Sequence, residues 1–343
     1  MDGVSEASMT RLTTYAEHDP DSGPSPHASA DGEASTSEPK VCIIIGICTA
    51  NRPDRLWELL SALSDLDLVR RAPRSVTVVI ADNSRDATAR GTVERFATAA
   101  TMPVEYHHVL PPGLSVARNR VLEVASELGE VLAIIDDDEV PEPQWLDRLL
   151  ECRHATGAAL VVGPVYPRYE AGAPDWIREG GFLDLATYPD NAALRDGISG
   201  NALMHLPTVM SAGLRFDERY GRTGGEDQLF FRQAAAGGVD IRFAARATVY
   251  EAVPPDRVTF RYLLHRELRK GNTLGLIARD HPELGEGPAR RVAASIKWYW
   301  TGMFLVVLGL LGRDGIRVRR GVLRAVRAAG MIGGLAGWRY IAY

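Results

Sequence analysis

The sequence predicts an α/β protein, a mostly parallel sheet with helices on both faces, followed by a C-terminal helical segment of a different kind. Three observations predict it. Continuous β-branched runs such as "VCIIIGI" (41–47) and "VLAII" (131–135) suit strands buried on both faces rather than strands with one wet face. Between such runs lie segments whose apolar residues recur at helical spacing, the pattern of βαβ units. The composition over 343 residues, 45% hydrophobic and 24% charged, is that of a core-forming chain with room for one large domain or two ordinary ones.

The elements follow in order. Residues 1–39 are rich in Ser, Ala, Asp, Glu, Gly and Pro and nearly lack large apolar side chains, so they are expected to be a disordered tail. No apolar stretch there reads as a secretory signal. Strand 41–47 precedes a helix at 55–69, introduced by the proline of "RPD". Strand 75–81, helix 86–100, strand 103–109, a helix at 114–129 closed by Gly129, and strand 131–135 complete the alternation. The pattern then loosens into helix 143–157, strand 158–167, an irregular stretch at 168–198, strand 197–206, helix 224–238 stopped by two glycines, short strands within 239–253 and a long helix at 260–280. The expected organisation is a tail (1–39), a main domain (40–255), a helical extension (256–289) and a terminal segment (290–343).

Charge separates the last part from the rest. From Arg290 onward there are ten Lys/Arg and one acid, Asp314, a local +9 that leaves −14 for residues 1–289. The stretch "IKWYWTGMFLVVLGLLG" (296–312) is 17 residues long with one charge, Lys297, near the lower limit for a membrane span. Trp298, Tyr299 and Trp300 are interface-seeking, and the next segment sets Ile316, Val318, Val322, Leu323 and Val326 beside an Arg-rich face. Surface or re-entrant attachment, a true span and a buried helix pair all remain open, and an anionic membrane surface rather than nucleic acid is the expected partner. The three cysteines, Cys42, Cys48 and Cys152, form neither a disulfide framework nor a zinc spacing and fit a reducing, cytoplasmic setting.

The candidate chemistry lies at a strand end. "VLAIIDDDEVPEP" drives a buried strand into Asp136, Asp137, Asp138 and Glu139, four repelling carboxylates unless a cation sits among them. Asp136 and Asp138, two apart in an extended segment, point to one side and suit Mg²⁺ or Mn²⁺, which bridges to a diphosphate. The alternative is a solvated acidic turn. "GGED" places Glu226 and Asp227 at a helix start, where the helix dipole alone favours anions. Arg266, Arg269 and Lys270 share a helix face able to close over a pyrophosphate, or form a solvated basic face. Trp176 is either an acceptor-stacking ring or a core anchor.

Five stretches in this order, "IGICTANRPDRLWELLSAL", "VVIADNSRD", "PPGLSVARNR", "IIDDDEVPEPQWL" and "GGEDQLFFRQAAAGG", resemble the family-2 glycosyltransferases. These are inverting enzymes of the GT-A (Rossmann-like) fold that use nucleotide-diphospho-sugars. The resemblance spans residues 41 to about 250, and the "DDDE-P" form with the basic tail is most similar to the bacterial exopolysaccharide (succinoglycan-type) glucosyltransferases.

The resemblance implies roles. Thr49 matches a position lining the nucleoside pocket, although Ala50 replaces the aromatic residue that often follows and leaves the base identity open. Asp82 matches the acid that bonds uracil, and Arg118 a basic residue near the nucleotide. Asp136 matches the acid at the ribose or sugar, and Asp138 the metal ligand, Mn²⁺ or Mg²⁺; no role is implied for Asp137 or Glu139. Gly200 and Asn201 match a strand beside the sugar, Asp227 the catalytic base, and Glu226 an acceptor-positioning acid. The Q-x-x-R-W motif of processive members is absent, which implies one sugar per encounter. The expected enzyme is a metal-dependent hexosyltransferase taking a UDP-sugar and a saccharide or lipid-linked acceptor, peripheral on the inner face of the cell membrane. Its rivals are a soluble glycosyltransferase of small natural products and a non-catalytic scaffold of the same fold. A sugar-1-phosphate nucleotidyltransferase would need a Gly-rich, Arg-containing loop where "GICTANRPDR" stands.

Overall fold

Strand β1 (Cys42–Thr49) runs through the interior of the sheet, and its alternation sets up two cores. Ile43, Ile45 and Ile47 face one layer, made with α1 (Pro53–Ser64), α2 (Arg90–Ala97) and α4 (Trp145–Thr156). Ile44 and Cys48 face the other, made with α3 (Leu114–Leu128), α6 (Leu206–Ser211) and α7 (Glu226–Ala236). Gly46 lets α3 settle onto the strand: a Cβ there would lie 2.3 Å from Val121 Cγ1. The computed structural model describes residues 42–67, 75–284 and 287–341, so the expected tail at 1–39 lies outside the described residues.

The main sheet has seven strands in the order β3-β2-β1-β4-β8-β6-β9. Here β2 is Ser75–Asp82, β3 Val104–His108, β4 Val131–Asp136, β6 Leu160–Val162, β8 Asn201–His205 and β9 Ile241–Phe243. β3, β2, β1 and β4 are mutually parallel, and β8 runs antiparallel between β4 and β6. A small second sheet orders β5 (Glu139–Pro141), β10 (Val249–Val253) and β7 (Val165–Tyr169).

Among the departures from the sequence expectation, three bear on how the elements pack. α1 ends at Ser64, and the Asp67 amide then donates to the Pro143 carbonyl instead of extending the helix. The single strand expected at 158–167 breaks at Gly163–Pro164, because proline cannot continue a ladder, and its second half joins the other sheet as β7. Within the irregular stretch, Asp175–Gly180 forms α5.

Three long helices follow: α8 (Phe260–Asp280), α9 (Pro288–Leu311) and α10 (Gly315–Leu335). α8 and α10 approach closely because each carries a Gly-x-x-x-Gly pair at the crossing. A Cβ on Gly271 would lie 2.0 Å from the Arg327 carbonyl oxygen, and one on Gly334 would lie 2.2 Å from that of Asn272. Small residues let backbones touch where larger ones hold them apart. α9 packs on α10 through the facing Gly302 and Gly321 and leaves its opposite face open. On that face Trp300 is 66% exposed, Phe304 63% and Leu311 79%, in line with Ile296, Val307 and Leu310. α9 is also the one described helix long and apolar enough to cross a membrane.

Candidate active site

The chain goes from β1 out to β2 and β3, then returns to β4 on the other side of β1. That reversal leaves a crevice at the carboxyl ends of β1 and β4, where open α/β sheets bind ligands. Cys48 pairs with Asp136 there, and a cleft of about 1240 Å³ opens in front of them. It is lined by Thr49, Arg118, Asp136, Asp137, Asp138, Gly200, Glu226, Asp227, Arg266 and Arg269, among others.

The acidic run is divided by its partners. β4 ends at Asp136, and Asp137–Asp138 form a turn into β5, so Asp136 and Asp138 are not an extended i, i+2 pair. Asp136 accepts from Arg118 Nη2 at 3.1 Å. Asp137 is buried and accepts from Thr49 Oγ1 at 2.8 Å and Arg52 Nη1 at 3.0 Å. Asp138 Oδ2 lies 3.0 Å from Arg52 Nη1 and 3.4 Å from Arg257 Nη2. Glu139 accepts the Asp136 amide at 3.1 Å. The cations demanded by four adjacent carboxylates are thus guanidinium groups. Burial, opposed by Arg52, raises the Asp137 carboxyl to about 6, and burial with the charge of Asp136 pushes Glu139 well above the usual carboxylate range. Asp137 and Glu139, for which the sequence offered no role, shape the turn. Gly200 lets the backbone pass close: a Cβ there would lie 2.7 Å from Glu139 Oε1 and 3.0 Å from Asp136 Oδ2.

Across the cleft, α7 opens after Gly225, whose φ of +97° is a left-handed turn suited to glycine. Glu226 is buried and ion-paired with Arg118, and its Oε2 has no hydrogen-bond partner among the described residues. Arg118 therefore joins the β4 turn to the start of α7. Among the described residues Asp227 accepts only from its helix neighbour, the Gln228 amide, at 2.7 Å. Burial and the adjacent Glu226, partly offset by Arg118, raise the Asp227 carboxyl to about 7.

The third wall is cationic. Arg266, Arg269 and Lys270 from α8 and Arg327 from α10 line it, with Arg266 Nη1 donating to the Phe182 carbonyl at 3.0 Å. Burial and the neighbouring Arg266 lower the Lys270 ammonium to about 7.

Three predicted site residues are placed elsewhere. Asp82 is fully buried, and its carboxylate accepts from the Ser84 and Ala89 amides and the Tyr106 hydroxyl, bonds that organise the loop after β2. The neighbouring Asn83 and Arg85 face the cleft instead. Asn201 is fully buried and committed to Trp145 Nε1 and the Pro164 and Ala247 carbonyls, which holds the strand crossing together. Trp176 packs edge-on against Phe182 and Phe260 with Arg319 over its ring; it is a core anchor and does not line the cleft. Sequence reasoning also missed Arg52, Arg257 and Arg327. Only the Gly-x-x-x-Gly pairs of α8 and α10 offered a signal for the last.

The comparisons decide the family. The family model described as glycosyl transferase family 2 matches residues 44–216. The chain is 34% identical over 299 residues to the succinoglycan biosynthesis protein ExoM of Rhizobium meliloti (strain 1021), covering 87% of this chain and 94% of that protein. The chain belongs to glycosyl transferase family 2. This glycosyltransferase shares its fold with the mannosyltransferase PcManGT from Pyrobaculum calidifontis, solved with GDP-Man and Mn²⁺, at a TM-score of 0.60 and 16% identity over 86% of this chain and 87% of that one. The fold is therefore GT-A, and the likeness to the succinoglycan biosynthesis protein covers nearly the whole of that relative.

Proposed function

We propose that this chain is an inverting hexosyltransferase that takes a UDP-sugar and delivers the sugar to a hydroxyl of a lipid-linked saccharide during exopolysaccharide assembly. The observation that carries this is Asp227. It faces the cleft opposite the acidic turn, and among the described residues its carboxylate is bonded only by its own helix. A carboxylate raised to about 7 and left unbraced is suited to take a proton from an acceptor hydroxyl as that oxygen attacks the anomeric carbon. Glu226, paired with Arg118 at the start of α7, would position the acceptor, and Thr49 and Asp136 would line the donor side. The relative's name supplies the setting, exopolysaccharide biosynthesis.

The donor set at the turn fits a hard divalent cation. Arg52 and Arg257 both approach Asp138 through Oδ2, so Oδ1, a hard carboxylate oxygen, would be the atom offered to the ion. No trio of His, Cys, Asp or Glu among the described residues is grouped to hold a metal alone, so Asp138 would share Mn²⁺ or Mg²⁺ with the donor's diphosphate. The bound ion would neutralise the charge that develops on the leaving diphosphate.

α9 would lie on the cytoplasmic face of the membrane. Its apolar stripe is exposed rather than packed as core, which favours a lipid-linked acceptor over a small soluble one. Two measurements test this reading. Asp227→Asn is expected to lower transfer by about 10² to 10⁴-fold while donor binding is retained; unchanged turnover would remove the base assignment. A Trp300→Glu/Phe304→Glu variant is expected to lose co-sedimentation with anionic vesicles while its melting temperature stays put. Undiminished sedimentation would exclude α9 as the contact.

A further inference from the structure

The cationic wall is unlike the rest of the cleft. Around the acidic turn carboxylates and guanidinium groups alternate, but four cations, Arg266, Arg269, Lys270 and Arg327, line the wall together. The acid that serves two of them, Glu267, is buried behind the wall and is absent from the cleft lining. Lys270 Nζ lies 3.9 Å from Glu267 Oε1, and Arg327 is ion-paired with the other oxygen of the same carboxylate. Other charged groups lining the same cleft include Arg222, Asp227, Glu251 and Arg257. Crowding of like charge in a partly desolvated place is costly unless an anion enters it.

Arg327 is also held from behind. Its guanidinium lies over the Trp298 ring of α9 at 5.4 Å, and the glycine crossing of α8 and α10 brings its backbone against Gly271. Such bracing pre-organises a planar fork for a phosphate. The wall adjoins the start of α7, since Thr273 Oγ1 donates to the Gly224 carbonyl at 3.2 Å, which sets it beside Asp227.

We propose that Arg327, with Arg266, Arg269 and Lys270, forms a phosphate-binding wall, so that the last helix of the chain is part of the substrate site. The ligand is a diphosphate, and it has two possible sources: the nucleotide donor or the lipid-linked acceptor. The proposal rests on the glycosyl-transfer reading.

The test is calorimetric titration of the full chain with inorganic pyrophosphate, UDP and farnesyl diphosphate, for the wild type and for Arg327→Gln, Arg327→Lys and Glu267→Gln. Arg327→Gln is expected to weaken binding of at least one probe by about tenfold or more, and Arg327→Lys by less. Glu267→Gln removes the acid that pairs with Lys270 and Arg327 from behind the wall and is expected to leave that affinity unchanged or tighten it. A loss with UDP and not with farnesyl diphosphate assigns the wall to the donor, and the reverse to the acceptor. If Arg327 merely braces the helices, Arg327→Gln and Glu267→Gln break the same ion pair and act alike. Equal weakening in both, no effect in either, or no wild-type binding of any probe overturns the proposal. Asp227→Asn separates this from the transfer reading, because it is expected to lose turnover and keep pyrophosphate affinity.

Discussion

The turn at 136–139 and the Glu226–Asp227 pair are both carboxylate clusters facing one cleft, and they are held in opposite ways. Every acid of the turn has a protein partner: Arg118 for Asp136, Thr49 and Arg52 for Asp137, Arg52 and Arg257 for Asp138, and a backbone amide for Glu139. Among the described residues Asp227 has only the amide of its helix neighbour, and one oxygen of Glu226 is buried without a hydrogen-bond partner. Bracing fixes where charge stands, as a donor site requires. A base that must gain and lose a proton is better left unbraced, because each donated hydrogen bond would hold it ionised and weaken it as a base.

Arg118 is where the two clusters meet, and its removal should break the comparison most. Arg118→Met leaves Asp136 and Glu226 without their shared counter-charge, and about 3–5 kcal/mol of stability is expected to be lost in denaturant titration. A loss below about 1 kcal/mol would show the two clusters to be independent.

The pH dependence sharpens the contrast. With the Asp227 carboxyl at about 7, transfer should fall about tenfold per unit as pH drops below 7 and level off above it. Stability should run the other way. The folded chain holds protons on Asp227 and Asp137 above the ordinary carboxylate range, so it binds more protons than the unfolded chain between about pH 4 and 7. Stability from these groups is therefore lost as pH rises through that window. Melting curves from pH 5 to 8 check the sign, and Asp227→Asn should flatten them.

The smallest effect is expected within the turn. Thr49→Val removes one of the donors to Asp137 while Arg52 remains, so about 1 kcal/mol should be lost. Activity should change less than in Asp227→Asn, because the acids with proposed roles keep their partners. A Thr49→Val enzyme as inactive as Asp227→Asn would mean that the geometry of the turn is itself limiting.

Much of this was legible in the chain. The runs at 41–47 and 131–135 announced strands buried on both faces, since β-branched continuity has few other stable uses. The acids at a strand end and the Glu-Asp pair at a helix start announced where a ligand meets the sheet. The cleft does gather Thr49, Arg118, Asp136, Asp138, Gly200, Glu226, Asp227, Arg266 and Arg269. Asp82 and Asn201 show the limit. A carboxylate after a strand looks the same in sequence whether it faces a ligand or, as Asp82 does, two backbone amides and a tyrosine.

By itself, then, the sequence determined the alternation of strand and helix, the two acidic clusters and the apolar, basic character of the C-terminal helices, because periodicity and residue type are local properties. Only the tertiary structure decided which cation answers which acid. Arg118 lies 18 residues from Asp136 and 108 from Glu226, and Arg327 reaches the cleft through a glycine crossing of two helices. Electrostatic pairing acts over a few ångströms in space, whatever the distance along the chain, and so it appears only once the chain has folded.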